Sequence, residues 1–346
     1  MPVADVPDLA ALYLQMARIR SFEKALERLW QRGLISGEMH LAIGEEAVHA
    51  GVCAHLSDGD AVAVDHRSTP PFVARGVGLV ELLLEVLGSD EGLNGGNGGH
   101  MHLFAPSLLM ASSGIVGASA PLAAGLALAG EYLRPGSVAI TFFGEGAANQ
   151  GMLLESLNLA VAWKLPVIFV CKDNRWAVTT RSATVTGGDL VQRAAAFGMP
   201  AQHLDGVQVA TVWQASGEAV RRARRGEGPS FLLCQVPRPN GHLLGDPLVR
   251  IAEHPLRESA QVVPSLARAL LEGDGASVTQ RLSWLGTTTA PVSDARRARR
   301  WRRSDPLLVA AHELSPSVVR EADEAAAQEV ASAMAAALGS LETVNA

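Results

Sequence analysis

Two apolar segments joined by one helical pattern constrain the fold of this chain more than any other feature. Residues 138–143 (VAITFF) and 167–171 (VIFVC) are short, nearly continuous apolar runs, as in strands buried on both faces. Between them, apolar residues recur at helical spacing from Met152 to Trp163. A strand, a helix and a second strand at this spacing predict a βαβ unit in a parallel sheet.

Further segments extend this unit along the chain. Apolar runs at 61–64 and 230–236 predict more strands, and helical patterns occupy residues 8–33, 45–57, 79–88, 211–225 and 316–338. Gly33 and Gly339 follow the first and last of these patterns and predict where those helices end. We therefore predict an α/β fold, a mostly parallel sheet with helices on both faces. A domain over 1–250 is expected, followed by an extension over 251–346, irregular and then helical, that contacts other subunits.

Composition and charge exclude several classes of protein. The chain has 346 residues, is 48% hydrophobic and carries a net charge of −6, which argues against a disordered chain and against a general nucleic-acid binder. Residues 115–130 are apolar but rich in small residues, so no membrane span is predicted. Three widely spaced cysteines argue against a disulfide framework, and no signal peptide is apparent. We expect a cytoplasmic protein.

Three polar clusters directly follow predicted strands, namely residues 65–67 (DHR), 144–146 (GEG) and 173–174 (DN). Ligands of open parallel sheets bind outside the carboxyl ends of the strands, and a helix that begins there points free N–H groups at an anion. The carboxylate of Glu145 and the amide oxygen of Asn174 are hard ligands that suit a Mg²⁺ also bound to phosphate. Together the clusters predict a metal–diphosphate site, although each one alone could equally be a turn or a helix cap.

A glycine-dense loop at 92–99 (GLNGGNGG) separates the third predicted helix from the next apolar segment. Glycine permits backbone conformations and close approaches that other residues do not. The loop is therefore either a flexible linker or a segment whose backbone approaches a ligand.

Several ordered motifs resemble the α subunits of 2-oxo acid dehydrogenase first components, a family that includes the pyruvate, branched-chain and acetoin enzymes. Residues 144–151 (GEGAANQG), continuing to Asn174, are similar to the family's thiamine diphosphate motif. Other matching segments are Met39–Ala47, Gly98–Phe104, Gly114–Ala118, Pro121–Gly125 and Gly241–Pro247. The resemblance covers roughly residues 15–250 and resumes near 301–306.

The resemblance implies a thiamin diphosphate-binding fold of the diphosphate-binding type over 1–250, with thiamine diphosphate and Mg²⁺ as cofactors. The implied metal ligands are Glu145, Asn174 and the backbone carbonyl of Trp176. The implied cofactor contacts also include His66, Arg67, Gly114, Val116, Gly146, Ala147 and His242, with Arg67 on a phosphate. As implied catalytic groups, His242 assists proton transfer and His40 lines the substrate pocket.

The implied reaction decarboxylates a small 2-oxo acid and transfers the acyl or aldehyde unit to lipoamide or another acceptor. Family enzymes take an activating glutamate from a pyrimidine-binding domain, and residues 251–346 are too few and too rich in Ala, Ser and Arg to form one. A separate β subunit, in an assembly of two α with two β, is therefore implied, with a lipoyl-bearing acyltransferase as a further partner.

Departures from the family pattern leave other functions open. Glu145 stands where Asp is usual, Ser68 to Pro71 replace a segment that often carries His, and His66 occupies a position that is Tyr in pyruvate enzymes and His in acetoin-type enzymes. The alternatives are a two-component carboligase of specialised metabolism and a non-catalytic scaffold with an impaired metal site. A nucleotide-binding oxidoreductase would need a Gly-x-Gly-x-x-Gly turn, which the predicted βαβ unit lacks.

Overall fold

The computed structural model describes residues 6–246 and 301–344, together with isolated residues between 249 and 280. A mostly parallel seven-stranded sheet has the order β2-β3-β1-β4-β5-β9-β8, in which β2 alone is antiparallel to its neighbour. A separate antiparallel hairpin pairs β6 with β7. The strands are β1 Ala61–Val64, β2 Phe104–Ala105, β3 Met110–Ser112, β4 Ala139–Gly144, β5 Val167–Asp173, β6 Trp176–Ala177, β7 Thr180–Arg181, β8 Ala201–Asp205 and β9 Ser230–Gln235.

Helices cover both faces of the sheet, which confirms the predicted fold class. The buried residues form two clusters, one where α1, α2, α4, α9 and α11 pack on the sheet and one where α5, α6 and α8 pack on its other face. The helices are α1 Leu9–Gln31, α2 Glu46–Cys53, α3 Thr69–Ala74, α4 Leu79–Val86, α5 Ser119–Leu133, α6 Gly151–Ala162, α7 Ser182–Val185, α8 Leu190–Ala196, α9 Val209–Arg224, α10 Pro306–Ala311 and α11 Pro316–Val344.

The long apolar strands were predicted closely and the short ones were missed. Strands β1, β4, β5 and β9 lie within two residues of their predicted bounds. Strands β2 and β3 are two and three residues long, and β8 at the edge of the sheet exposes most of its side chains, so none of them leaves an apolar run in the sequence. In the part of the chain that the structure describes, no helix is long and apolar enough to cross a membrane. All three cysteines are free and buried.

The last helix is longer than predicted. Helix α11 begins after Ser315, whose Oγ accepts from the N–H of Val318 at 3.4 Å, and continues to Val344. The prediction that Gly339 ends this helix is wrong, because Gly339 lies inside it. Leu338 and Leu341, on either side of that glycine, pack against the core and outweigh the weak helix propensity of one glycine.

Residues beyond 300 pack against the first helix. Tyr13 of α1 donates to Asp323 at 3.1 Å, and Arg18 pairs with Glu329 at 2.7 Å. The buried guanidinium of Arg20 binds Asp305 through two nitrogens, at 3.0 and 3.2 Å, and also Glu46 at 2.5 Å. The predicted boundary at 250 falls at a segment that is mostly outside the described residues, so it stays a prediction, as do the subunit contacts of 251–346.

The glycine-dense loop folds around the buried carboxylate of Glu85. Its oxygens accept the N–H groups of Asn94, Gly96 and Gly98 at 2.6, 2.9 and 2.6 Å. A Cβ at Gly96 would lie 2.4 Å from the carbonyl carbon of Gly88, and one at Gly98 would lie 2.1 Å from the backbone oxygen of His102. The close approach that this loop makes is therefore to its own chain.

Replacing Glu85 by Gln should destabilise the fold by about 2–4 kcal/mol, because the amide nitrogen would face an N–H donor that only a carboxylate can satisfy. Urea unfolding measures the change. The matched control is Glu81→Gln, an exposed carboxylate on the same helix, for which we expect less than about 1 kcal/mol. Equal losses in the two variants would contradict this account of the loop.

Candidate active site

A cavity of about 170 Å³ opens at the carboxyl ends of β1, β3, β4 and β5. The chain runs from β1 to β3 on one side and then to β4 on the other, so the cavity lies where the strand order reverses. Such a switch point is where open α/β sheets bind their ligands. All three polar clusters singled out in the sequence contribute to the cavity wall.

The structure brings together nearly all of the predicted site residues. The cavity is lined by His66, Arg67, Gly114, Val116, Glu145, Gly146, Ala147, Asn174, Trp176 and His242, which are all of the predicted cofactor contacts. His40 is buried, with its ring edge-on to those of His66 and His242 at 4.8 and 4.7 Å. Its expected place in the substrate pocket stays a prediction.

The oxygen donors that could hold a cation lie in the two turns that follow β4 and β5. The carboxylate of Glu145 accepts from Ser182 Oγ at 2.8 Å and from the N–H of Asn174 at 3.3 Å. Asn174 Oδ1 in turn accepts the N–H of Trp176 at 3.1 Å. Glutamate is one methylene longer than aspartate, and this length carries its carboxylate to Ser182.

The chemistry of these donors fits a divalent cation. Glu145 is 2% exposed and forms no ion pair among the described residues. Burial, with a smaller effect of the nearby charge of Asp173, raises the pKa of its carboxyl to about 7. A hard cation bound by a carboxylate, an amide oxygen and a backbone carbonyl would stabilise that buried charge.

Gly146 makes the turn after β4 possible. A Cβ at this position would lie 2.7 Å from the Cβ of Ala177, closer than two carbon atoms can approach. The glycine therefore lets the turn pack against β6, which brings Glu145 next to Asn174 and Trp176.

A buried ionic network lies beside the cavity and was missed in the sequence. The ammonium of Lys172 contacts Glu45 Oε2 at 2.9 Å and Asp65 Oδ1 at 3.1 Å, and Asp65 Oδ1 also accepts the N–H of Arg67 at 3.1 Å. The pKa of Lys172 lies above its usual value because the two carboxylates outweigh the effect of burial. One signal could have revealed this network. Lys172 is the only charged residue before Asp173 in strand β5, and a charge buried in a sheet needs carboxylate partners.

Arg67 ties two further segments to the end of β1. One Nη donates to the backbone oxygen of Leu41 and the other donates to that of His242 at 2.8 Å, while Nε lies 3.8 Å from Glu45 Oε1. Arg67 also lines the cavity. That it binds a phosphate stays a prediction.

Four imidazoles gather behind and beside the cavity, those of His40, His66, His100 and His242. Burial and, to a smaller extent, the charge of Arg67 lower the pKa of His40 to about 3 and those of His100 and His242 to about 4. The pKa of His66 is also well below its usual value for the same reasons. These side chains are therefore neutral near pH 7.

Fold and cavity define an α/β protein with its site at the carboxyl ends of parallel strands, where acidic and basic groups face each other. The family described as "Dehydrogenase E1 component" matches residues 14–298, so the chain belongs to the dehydrogenase E1 component family. The resemblance found in the sequence is thereby confirmed.

Relatives in bacteria agree with this assignment. The chain is 46% identical over 244 residues to the α subunit of acetoin:2,6-dichlorophenolindophenol oxidoreductase of Cupriavidus necator, covering 70% of this chain and 73% of that one. It is 41% identical over 237 residues to the Bacillus subtilis subunit of the same name, covering 68% and 71%. It is also 40% identical over 242 residues to the α subunit of the pyruvate dehydrogenase E1 component of Rhizobium meliloti, covering 69% of each.

Replacing Lys172 by Met should destabilise the protein by about 3–5 kcal/mol, because two buried carboxylates would lose their shared cation. Urea unfolding measures the loss. The exposed Lys164→Met is the matched control, with an expected change within about 0.5 kcal/mol. Adding Glu45→Gln to Lys172→Met should recover part of the stability. If the changes in the free energy of unfolding caused by the two substitutions simply add, the residues do not interact and the proposed network is contradicted.

Proposed function

We propose that this chain is the α subunit of a thiamine diphosphate-dependent 2-oxo acid dehydrogenase and holds the diphosphate end of the cofactor with Mg²⁺. The observation that carries the proposal is the meeting of Glu145, Asn174, Trp176 and Arg67 at one end of the sheet in a chain of this family.

Each side of the cavity has its own role in this proposal. Glu145, Asn174 and the carbonyl of Trp176 bind Mg²⁺, while the N–H groups of Gly146 and Ala147, together with Arg67, bind the diphosphate. The main chain of Gly114 and Val116 contacts the aminopyrimidine ring. When bound, thiamine diphosphate supplies a nucleophilic carbon that cleaves the bond next to a carbonyl group and holds the electron pair.

The histidines position and move protons. His242 lines the cavity and is neutral near pH 7, so its ring can accept a proton during the reaction and return it. We assign His40 to the substrate pocket, next to His242, whose ring it contacts edge-on.

A β subunit completes the site in this proposal. The cavity is small for the whole cofactor, and its rim exposes Ile115 and Val116, which are 61% and 54% accessible. We assign the remaining wall to the pyrimidine-binding domain of a β subunit, in an assembly of two α with two β, and the acyl acceptor to a lipoyl-bearing acyltransferase. The relatives named above are themselves described as α subunits. The proposal places the assembly in the cytoplasm.

A small 2-oxo acid is the proposed substrate, and acetoin is a second candidate. The names of two relatives support acetoin, and His66 shares the residue type of acetoin-type members at this position. The assembled oxygen donors argue against the scaffold alternative, and no contact in the described residues favours the carboligase.

Calorimetry on the α–β complex with thiamine diphosphate and Mg²⁺ tests the cofactor site. Glu145→Ala should weaken Mg²⁺-dependent binding at least about tenfold, or about 1.4 kcal/mol, because it removes the charged ligand. Glu155→Ala, an exposed carboxylate on α6, is the matched control and should bind as the wild type does. Absence of binding in the wild-type complex would support a scaffold instead.

Dye reduction by the same complex tests the reaction. We expect electron transfer from pyruvate, a branched-chain 2-oxo acid or acetoin, and no reduction when the β subunit, thiamine diphosphate or Mg²⁺ is omitted. The best substrate identifies the branch of the family. Turnover of the 2-oxo acid without any electron acceptor would point to carboligation.

A further inference from the structure

We propose that His40, His66 and His242 form a site for a transition-metal cation of the Zn²⁺ and Co²⁺ type, distinct from the oxygen donors around Glu145. Each of the three imidazoles offers one nitrogen, and these atoms all lie within 4.8 Å of one another. Imidazole nitrogen is a preferred ligand of Zn²⁺ and a poor one of Mg²⁺, so the two sites select different ions.

The ring nitrogens need to move only a short distance toward one another to bind one metal ion. Zn–N bonds of about 2.0–2.1 Å in a tetrahedral site place neighbouring nitrogens about 3.4 Å apart. Atoms that lie within 4.8 Å of one another must therefore approach by at most about 1.4 Å. His66 and His242 are half-buried, and their rings donate to and accept from no other side chain in the described part of the structure. Rotation about their side-chain torsions can therefore bring the nitrogens together.

The hydrogen bonds of His100 indicate which nitrogen of His40 is free. The backbone N–H of His40 donates to His100 Nε2 at 3.3 Å, so that nitrogen is an acceptor and carries no proton. His40 Nδ1 lies 3.0 Å from the same acceptor and must donate to it. The proton of the neutral His40 ring is therefore on Nδ1, and Nε2 keeps a free lone pair. Metal-binding histidines are commonly held in this way by a partner on their second nitrogen.

His66 supplies an independent observation. Its Nε2 is buried and has no hydrogen-bond partner. A buried polar atom without a partner destabilises the folded protein, and a bound cation would relieve this cost. Because the rings are neutral near pH 7, no proton has to leave before a metal binds.

The surrounding charges do not prevent a cation from binding. Arg67 is the charged group that most affects all three rings, but Glu45 lies 3.8 Å from its Nε and Asp65 accepts its backbone N–H. Since His66 and His242 also line the cavity, an ion on the three imidazoles would occupy space next to the proposed cofactor and substrate. This consequence rests on the proposed function, and it predicts that Zn²⁺ inhibits the enzyme.

Titration of the α–β complex with Co²⁺, in excess Mg²⁺ and without thiamine diphosphate, tests the site by visible absorption. We expect one equivalent to bind with the intense spectrum of four-coordinate Co²⁺ and to be displaced by Zn²⁺. His40→Ala, His66→Ala and His242→Ala should each weaken binding at least about tenfold, or about 1.4 kcal/mol. His100→Ser should weaken it less, because it releases the ring of His40 but removes no ligand.

The matched control is His102→Ala, an exposed histidine of the same loop as His100, which should bind Co²⁺ as the wild type does. A weak six-coordinate spectrum in the wild type, or binding that survives the three histidine variants, would overturn the proposal. Loss of the signal in Glu145→Ala alone would also overturn it, because the ion would then occupy the oxygen donors. None of these readouts depends on enzymatic activity, so they stand apart from the test of the proposed function.

Discussion

The ammonium of Lys172 is the point on which the arrangement of this site depends. It binds Glu45 before α2 and Asp65 after β1, although its own strand, β5, is separated from β1 by β4. Three elements that are distant in sequence are thus held by one buried charge. Breaking such a network leaves uncompensated charges in a medium that solvates them poorly. The positions of Arg67 and Asn174, which adjoin Asp65 and Lys172 in the chain, follow from it.

The ends of three strands bring different ligands to the cavity. Glu145 and Asn174 offer oxygen atoms from the ends of β4 and β5, whereas Arg67 presents a guanidinium from the end of β1. In the proposed function the oxygen atoms would bind Mg²⁺ and the guanidinium would bind the diphosphate. The neutral histidines add nitrogen atoms without adding charge. One pocket can in this way offer oxygen ligands to Mg²⁺ and nitrogen ligands to a cation such as Zn²⁺.

The sequence predicted the parts of the fold that depend on continuous burial. Strands such as β4 and β5 are covered on both faces, so they appear as apolar runs, and their ends locate Glu145 and Asn174. Edge strand β8 and the short strand β3 are formed by pairing with neighbouring strands, and neither leaves an apolar run in the sequence. Gly339 shows the same limit in a helix, because the packing of Leu338 and Leu341 outweighed a local signal for termination.

The sequence alone determined the class of fold, the family and the residues that surround the cavity, because spacing and motif order are local properties of the chain. Only the tertiary structure decided how these residues act on one another. It paired His40 with His100 and placed Lys172 between Glu45 and Asp65. Such contacts join residues 60 to more than 100 positions apart, and whether a buried charge or ring nitrogen finds a partner depends on packing in three dimensions.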